Sequence, residues 1–302
     1  MPLSLERWSP ADWPALAPFI HEWNQRPAGG IHCVHAASGT DVASHAAELA
    51  ALAPDEAAFW GVMLDGRLVG TVGCEFDTSL GRAWMRGPLV AADDLLDELL
   101  PLIDATLADA LPEIVNFDGF PAADSKRLND WYRAAGYMPL QIHTALRAEL
   151  GALQVLPREV EPALLSDLPT VLGLHAELFP SPYLGDDAFR RALHATDCAL
   201  FVARSVEAEP LGYLYVEDRP AEQEVYVHYL GVIESARGRH LGKALLGGAA
   251  QWGVDRGRSG IALTVREDRP VAIELYRRSG FVEMSRGRHW RRTASCPRPP
   301  ST

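Results

Sequence analysis

Hydrophobic residues recur along this chain at two spacings, every second position in some segments and every third or fourth position in others. The first spacing predicts half-buried strands and the second predicts amphipathic helices. Asp65-Gly66 predicts a tight hairpin, Gly136 predicts a helix end, and Pro101 is expected to kink or divide its helix. The first half has predicted strands at 4–8, 58–64, 67–76, 82–90, 114–117 and 137–146, and predicted helices at 9–24, 42–52, 95–107 and 124–135.

The second half repeats this order of elements. Its predicted strands lie near 159 and at 200–205, 211–217, 225–232, 261–265 and 281–290, and its predicted helices lie at 163–178, 187–194, 241–254 and 271–278. Residues 128–137 align without a gap with residues 272–281, which places Tyr132 opposite Tyr276 and Gly136 opposite Gly280. We therefore predict two related domains, 1–150 and 151–302, joined by a linker at 149–157.

Composition narrows the class of protein. A hydrophobic fraction of 48% with 23% charged residues is ordinary for a folded protein. No apolar run reaches the roughly 18 residues that cross a bilayer. The N-terminus lacks the basic-then-apolar layout of a signal peptide, so we expect a cytoplasmic protein with no membrane partner.

Metal-binding chemistry is only weakly indicated. The four cysteines form no CxxC pair, which argues against a zinc cluster or a disulfide framework. His32, Cys33 and His35 share one loop and His45 follows, but a clear fourth ligand is missing. We predict no metal; the simpler interpretation is that these loop residues line a pocket or have no functional role.

Charge divides the chain unevenly. The first 150 residues carry 21 acidic against 9 basic side chains, a net charge of −12, whereas the remainder carries 19 of each. An acidic half argues against nucleic acid as a partner. It suits a cationic small molecule such as an amine, although a merely solubilising surface explains it equally well.

A basic, glycine-containing turn lies between a predicted strand and a predicted helix. It reads Arg237-Gly-Arg-His-Leu-Gly242 and is followed by Lys243. A helix N-terminus carries a partial positive charge and unpaired N–H groups, and glycine lets a phosphate approach the backbone. The turn therefore suits a pyrophosphate, with a solvated basic bend as the alternative.

Together with Leu275-Tyr276 and Gly280-Phe281, this turn resembles the GNAT superfamily of acyl-CoA-dependent N-acetyltransferases. The resemblance covers about 224–290 by motif and the rest by order of elements; it extends to tandem members of the family. It implies an α+β (α/β) fold class with two tandem GNAT-like domains, each a mixed, mostly antiparallel sheet flanked by helices. It implies acetyl-CoA as co-substrate and a small-molecule amine as acceptor, in a monomer or homodimer.

The resemblance also implies roles for individual residues. Tyr276 would protonate the departing CoA thiolate as a general acid. The backbone of Leu230 and Val232 would pair with the pantetheine arm. The residues expected around the pyrophosphate are Arg237, Gly238, Arg239, His240, Leu241, Gly242 and Lys243. His240 replaces a family glycine, which we expect to be tolerable only with a negative φ.

The general base is not fixed by the motif. Family members often place a glutamate where this chain has Tyr226. Glu224 and His228 flank it on the same face of the predicted strand, because strand side chains alternate with a period of two. Glu224 could act through water, and His228 has a suitable intrinsic pKa. We leave both open as catalytic candidates.

The first half departs from the pattern where the phosphate turn should be. Asp93, Asp94, Asp97 and Glu98 lie at the predicted helix start and would repel a pyrophosphate. We therefore expect residues 1–150 to be a degenerate GNAT-like domain that does not bind CoA. An N-acetyltransferase is the leading hypothesis for the chain, and a non-catalytic acyl-CoA-binding or regulatory protein is the alternative.

Overall fold

The computed structural model describes residues 3–25, 41–153, 160–180 and 182–293. The chain forms two compact units. The first consists of Met1–His143 with Ser285–Thr302, and the second consists of Thr144–Met284. None of the helices in the described ranges is long and apolar enough to cross a lipid bilayer.

Within its described residues, the first unit has four α-helices and the strands that they flank. Its strands are β1 (Ser4–Arg7), β2 (Ala57–Leu64), β3 (Arg67–Asp77), β4 (Arg82–Val90), β5 (Asn116–Gly119) and the first part of β6 (Met138–Glu149). Its helices are α1 (Ala17–Asn24), α2 (Val42–Ala51), α3 (Leu95–Ala110) and α4 (Lys126–Ala134). The neighbours β1 to β4 pair antiparallel, whereas β4 and β5 are parallel, so the sheet is mixed.

The second unit repeats this plan. Its strands are β7 (Val160–Pro162), β8 (Cys198–Arg204), β9 (Pro210–Arg219), β10 (Glu224–Val232) and β11 (Gly260–Arg266), with the end of β6 beside β11. Its helices are α5 (Leu168–Leu178), α6 (Asp186–Ala192), α7 (Leu241–Asp255) and α8 (Pro270–Arg278). The strands from β7 to β10 are antiparallel and β10–β11 is the parallel pair, matching β4–β5 in the first unit. The predicted fold class is confirmed.

The C-terminal strand β12 (Val282–Thr293) begins in the second unit and ends in the first. Its residues Trp290–Thr293 pair antiparallel with β5. Strand β6 begins in the first unit and ends in the second. The boundary expected at residue 150 lies just after β6, whereas the units divide the chain within β6 and within β12.

Both repeats end their last helix in the same way. Gly136 and Gly280 adopt φ values of 77° and 89°. Just past each glycine, the backbone N–H of Tyr137 donates to the Tyr132 carbonyl, and that of Phe281 donates to the Tyr276 carbonyl. These matching caps support the alignment of residues 128–137 with 272–281, because a left-handed residue after a helix favours glycine.

Three predicted elements differ from the structure. The helix expected from residue 9 begins as a short 3-10 turn at Trp13–Leu16 and becomes α-helical only at Ala17. Pro101 does not divide α3, because it removes one N–H donor while Leu96, Leu99 and Ile103 stay buried and hold the helix on the core. The helix expected from 163 begins as an α-helix at Leu168, after a 3-10 turn at Leu165–Asp167.

Candidate active site

Strands β10 and β11 separate part of the way along their length. Their parallel register ends at Val227 opposite Leu263, whereas β10 continues to pair with β9 as far as Val232 opposite Gly212. No strand in the described part of the chain pairs with the other edge of β10 beyond Val227. The predicted residues Leu230 and Val232 lie on this open edge, whose backbone groups can bind an extended chain.

The turn after β10 leaves open space beside the start of α7. Gly238 adopts a φ of 80°, and a β-carbon there would meet no atom within 4 Å. Helix α7 starts at Leu241, and its first backbone bond runs from the Ala244 N–H to the His240 carbonyl. The preceding N–H groups therefore lie at a helix N-terminus, where an anion is stabilised.

The backbone of His240 is left-handed, with φ 64° and ψ 10°. The expectation of a negative φ at this position is wrong. The side chain is exposed, so no neighbour prevents the conformation, but a non-glycine residue there costs about 1–2 kcal/mol. The turn thus keeps the glycine-like backbone although a histidine occupies the position.

The side chains of the predicted cofactor residues play different parts in this turn. Arg237, Arg239 and His240 are exposed and surround the helix start with positive or titratable groups. Leu241 is buried in the core and so offers only its backbone. A β-carbon on Gly242 would lie 3.0 Å from the Leu275 side chain, so glycine permits close packing between α7 and α8.

Tyr276 lies on α8 and is 7% exposed. Burial and the nearby phenol of Tyr226 raise its pKa to about 12. Its hydroxyl makes no hydrogen bond with any residue that the structure describes. The group is therefore a protonated donor at neutral pH.

His228 lies at an irregularity in β10. The register with β9 shifts between Val227 and Tyr229, so His228 is the extra residue of a β-bulge. Bulges redirect a side chain and recur next to active sites. Its ring contacts two polar partners: Nε2 lies 2.9 Å from Glu217 Oε2, and Nδ1 lies 2.9 Å from the Tyr183 hydroxyl.

Electrostatics define the protonation states of this group. Burial lowers the pKa of His228, against the opposing effect of Glu217, so the imidazole is neutral near pH 7. Burial acts to raise the pKa of Glu217, but the hydrogen bond and charge of His228, with help from Arg219, hold it at about 2. Since a carboxylate only accepts hydrogen bonds, Nε2 carries the proton and Nδ1 accepts from Tyr183.

Glu224 lies at the start of β10, in the part that still pairs with β11. Arg147 Nε donates to its carboxylate across 3.1 Å. Burial raises the pKa of Glu224, and the Arg147 pair opposes that rise. Four residues along a strand separate Glu224 from His228 by about 13 Å, so the two candidate bases occupy different places.

Sequence reasoning missed two partners of this site. Glu217 and Arg219 alternate on one face of β9, and the Arg219 guanidinium lies 3.8 Å from the centre of the Tyr226 ring. The Tyr226 hydroxyl in turn lies 2.9 Å from Thr264 Oγ1. The alternation was visible in the sequence, but the antiparallel register that places Glu217 beside His228 was not.

The corresponding cleft in the first unit is closed by its own side chains. Tyr132 is fully buried, and its hydroxyl donates to the Gly87 carbonyl of β4 across 2.6 Å. Arg127 donates to the backbone of the acidic turn at Asp93 across 2.8 Å and pairs with Asp97. The positions that correspond to the basic turn of the second unit are thus acidic or already bonded in the first.

The histidine and cysteine loop considered as a metal site lies outside the described residues, apart from His45. That side chain is buried, and its ring lies 5.7 Å from the ring of His21. Across residues 3–25, 41–153, 160–180 and 182–293, no three His, Cys, Asp or Glu side chains form a group that could hold a metal.

The chain is similar to known acetyltransferases. Residues 168–281 match the family model described as Acetyltransferase (GNAT) family. A segment of 67 residues is 42% identical to a mycothiol acetyltransferase of Corynebacterium aurimucosum, and the match spans 22% of this chain and 21% of that protein.

Two solved structures extend the similarity to the whole fold. A GCN5-related N-acetyltransferase from Sphaerobacter thermophilus matches 96% of this chain and 95% of its own, with a TM-score of 0.72 and 19% identity. A tandem GNAT protein from the clavulanic acid biosynthesis pathway, without AcCoA, matches 98% of this chain and all of its own, with a TM-score of 0.64 and 14% identity. Residues 168–281 therefore match the GNAT acetyltransferase family, and the chain as a whole shares the fold of these two solved structures, one of which is a tandem GNAT protein.

Proposed function

We propose that this protein transfers an acetyl group from acetyl-CoA to a primary amine of a small molecule. The single observation that carries the proposal is His228, a neutral buried imidazole on the bulge where the open edge of β10 begins. The match of residues 168–281 to the GNAT family and the local similarity to a mycothiol acetyltransferase support the class of reaction.

The donor would bind along the open edge of β10 and across the start of α7. The pantetheine arm would pair with the backbone of Leu230 and Val232. The pyrophosphate would accept hydrogen bonds from the N–H groups between Gly238 and Lys243, with Arg237 and Arg239 beside it. The thioester would then lie near the bulge, because the arm would run along β10 towards His228.

We assign the base to His228 rather than to Glu224. The imidazole is neutral near pH 7 and lies at the end of the open edge. Glu224 is bonded to Arg147 in the closed part of the sheet, where it neutralises that arginine. Removing Glu224 would therefore weaken β6 packing more than it would slow proton transfer.

Tyr276 would act at the leaving group. A phenol with a pKa of about 12 holds its proton more tightly than a thiol, whose ordinary pKa is about 8.5. It therefore serves best by donating a hydrogen bond to the sulfur as the C–S bond breaks. The first unit would bind no CoA, because its own side chains fill the corresponding cleft.

The experiment is CoA release from acetyl-CoA with a panel of amines that includes glucosamine, putrescine, kanamycin and a lysine-containing peptide. His228→Gln is expected to lower turnover of the best amine by about 100-fold or more, because a positioned base contributes about 10²–10⁴. Affinity for acetyl-CoA should stay within about twofold, since the imidazole does not touch the phosphate turn.

Glu224→Gln provides the matched comparison and should reduce turnover far less than His228→Gln. A reversed order of the two effects would move the base to Glu224. If acetyl-CoA binds and no amine in the panel is acetylated, the alternative of a non-catalytic acyl-CoA-binding protein replaces this proposal.

A further inference from the structure

We infer that Tyr183, His228 and Glu217 form a proton relay in which Tyr183, not the imidazole, receives the proton of the acceptor amine. This inference rests on the proposed acetyl transfer and adds two residues to it. Tyr183 is the group that touches the substrate, and Glu217 is a positioning residue that acts through His228. The three side chains come from the loop before α6, from β10 and from β9.

The relay follows from the hydrogen bonds that both nitrogens of the His228 ring already make. Nε2 donates to Glu217 and Nδ1 accepts from the Tyr183 hydroxyl, so both ring nitrogens already have partners. The His228 side chain is only 11% exposed. An amine therefore reaches the basic nitrogen through the Tyr183 oxygen, which still has lone pairs to accept a proton.

Tyr183 is held in this position by more than its hydroxyl. Its backbone N–H donates to the Tyr229 hydroxyl across 2.8 Å, and its ring stacks on the Tyr229 ring with centroids 4.9 Å apart. The hydroxyl also lies 3.2 Å from the His228 carbonyl, a longer contact than the one to Nδ1. These contacts fix the donor geometry that proton transfer requires.

The proton balance closes without a further reactant. An ammonium N–H bond breaks as an O–H bond forms on Tyr183, while the original Tyr183 proton moves to His228 Nδ1. The Glu217 carboxylate stabilises the resulting imidazolium through Nε2. The amine lone pair then forms the C–N bond, the C–S electron pair leaves with sulfur, and a second amine proton ends on the CoA thiol.

The groups around His228 favour transfer of a proton through Tyr183 rather than a stable charge on the phenol. Burial raises the pKa of Tyr183 well above its ordinary value, so the phenol stays protonated and serves as a conduit. The groups that face the imidazole are Glu217 and Arg219 on β9, the edge of the Tyr215 ring on β9, Tyr226 on β10, and Tyr183. Glu217 is the only carboxylate among them.

The first test variant is Tyr183→Phe, which keeps the ring stack and removes the conduit. We expect kcat/KM for the best amine of the panel to fall about 10–100-fold, with unchanged acetyl-CoA affinity. Tyr215→Phe is the matched control, because it removes a neighbouring phenol hydroxyl that does not bond to the imidazole, and it should leave turnover unchanged. Full activity in Tyr183→Phe would overturn the relay while the proposed function stands.

The second variant is Glu217→Gln, and its effect is measured from the pH dependence of kcat/KM. The carboxylate raises the pKa of His228, so its removal should shift the acid limb of kcat/KM to lower pH and lower the plateau about tenfold. A merely structural role would lower the plateau without moving the limb, and that result would overturn the assignment of Glu217.

A measurement that needs no turnover separates the two proposals. Nitrogen NMR of histidine-labelled protein, with His228 assigned through His228→Gln, should show the Nε2–H tautomer near pH 7. The Nδ1 resonance should shift in Tyr183→Phe and stay fixed in Tyr215→Phe. The Nδ1–H tautomer would overturn the relay directly. An inactive wild type with the expected spectra would instead refute acetyl transfer.

Discussion

Tyr132 and Tyr276 occupy the same position in the two repeats and do different things. Tyr132 is fully buried and donates to the Gly87 carbonyl of β4, so it fills the cleft where the parallel strands separate. Tyr276 retains slight exposure and bonds to no described residue, so it can donate to a ligand. The same residue in the same fold is structural in one unit and available in the other.

The turns before the third helix of each repeat also differ between the two units. In the second unit the turn has Gly238 with open space and exposed arginines. In the first unit the helix start carries Asp97 and Glu98, and Arg127 donates to its backbone. On this comparison we expect a phosphate to bind at the helix N-terminus of the second unit only, where the first turn of α7 carries no acidic side chain.

An ionic feature of the last strands is kept in both units. Arg291 of β12 donates to the fully buried Asp118 across 2.7 Å, and Arg147 of β6 donates to Glu224. Burial acts to raise the pKa of Asp118, but hydrogen bonds from His289 and Arg291 keep it well below its usual range. The arginine position recurs in the two units, but its carboxylate partner lies on β5 in the first unit and on β10 in the second.

The sharpest test of the contrast is cofactor stoichiometry. Calorimetric titration should give one acetyl-CoA site per chain. Arg237→Glu should weaken that site by about 100-fold or more, because it replaces a charge-assisted contact with repulsion. Asp94→Arg in the acidic turn should leave affinity within about twofold. Two equivalent sites would remove the proposed difference between the units.

Substitutions of the two equivalent tyrosines should have different effects, on turnover for Tyr276 and on stability for Tyr132. Tyr276→Phe is expected to lower kcat about tenfold with little change in acetyl-CoA affinity, because it removes a donor used when the sulfur departs. Tyr132→Phe should leave kcat unchanged and lower the free energy of unfolding by about 1–2 kcal/mol, since the Gly87 carbonyl loses its buried partner. Equal effects of Tyr276→Phe on binding and turnover would indicate a packing role.

The smallest expected effect concerns the left-handed His240. His240→Gly should raise the free energy of unfolding by about 0.5–1 kcal/mol, because glycine adopts that φ without strain. Arg239→Gly is the matched control, and it should destabilise the chain because glycine there adds only unfolded-state freedom. Denaturant unfolding of the two variants measures both changes, and a loss of stability in His240→Gly would show that the histidine side chain stabilises the turn.

Much of the fold was predictable because local chemistry repeats. Strand β4 was predicted with its observed bounds, and Gly136 ends α4 in the left-handed conformation expected of it. Pro101 misled the prediction because burial of one face of α3 outweighs the loss of a single backbone donor. His240 misled it because an exposed N-cap residue can bear the cost of a positive φ.

The duplication, the basic turn in one repeat, the acidic turn in the other and the paired tyrosines were all apparent from the sequence. These features depend on residue type and on spacing along the chain, which also determine where helices are capped and which face of a strand a side chain occupies. The partner of each candidate base, in contrast, follows from the fold. The bulge at His228 and the register of β9 bring Glu217 to the imidazole, and strand β6 brings Arg147 to Glu224. Register couples residues far apart in sequence, so no local pattern specifies it.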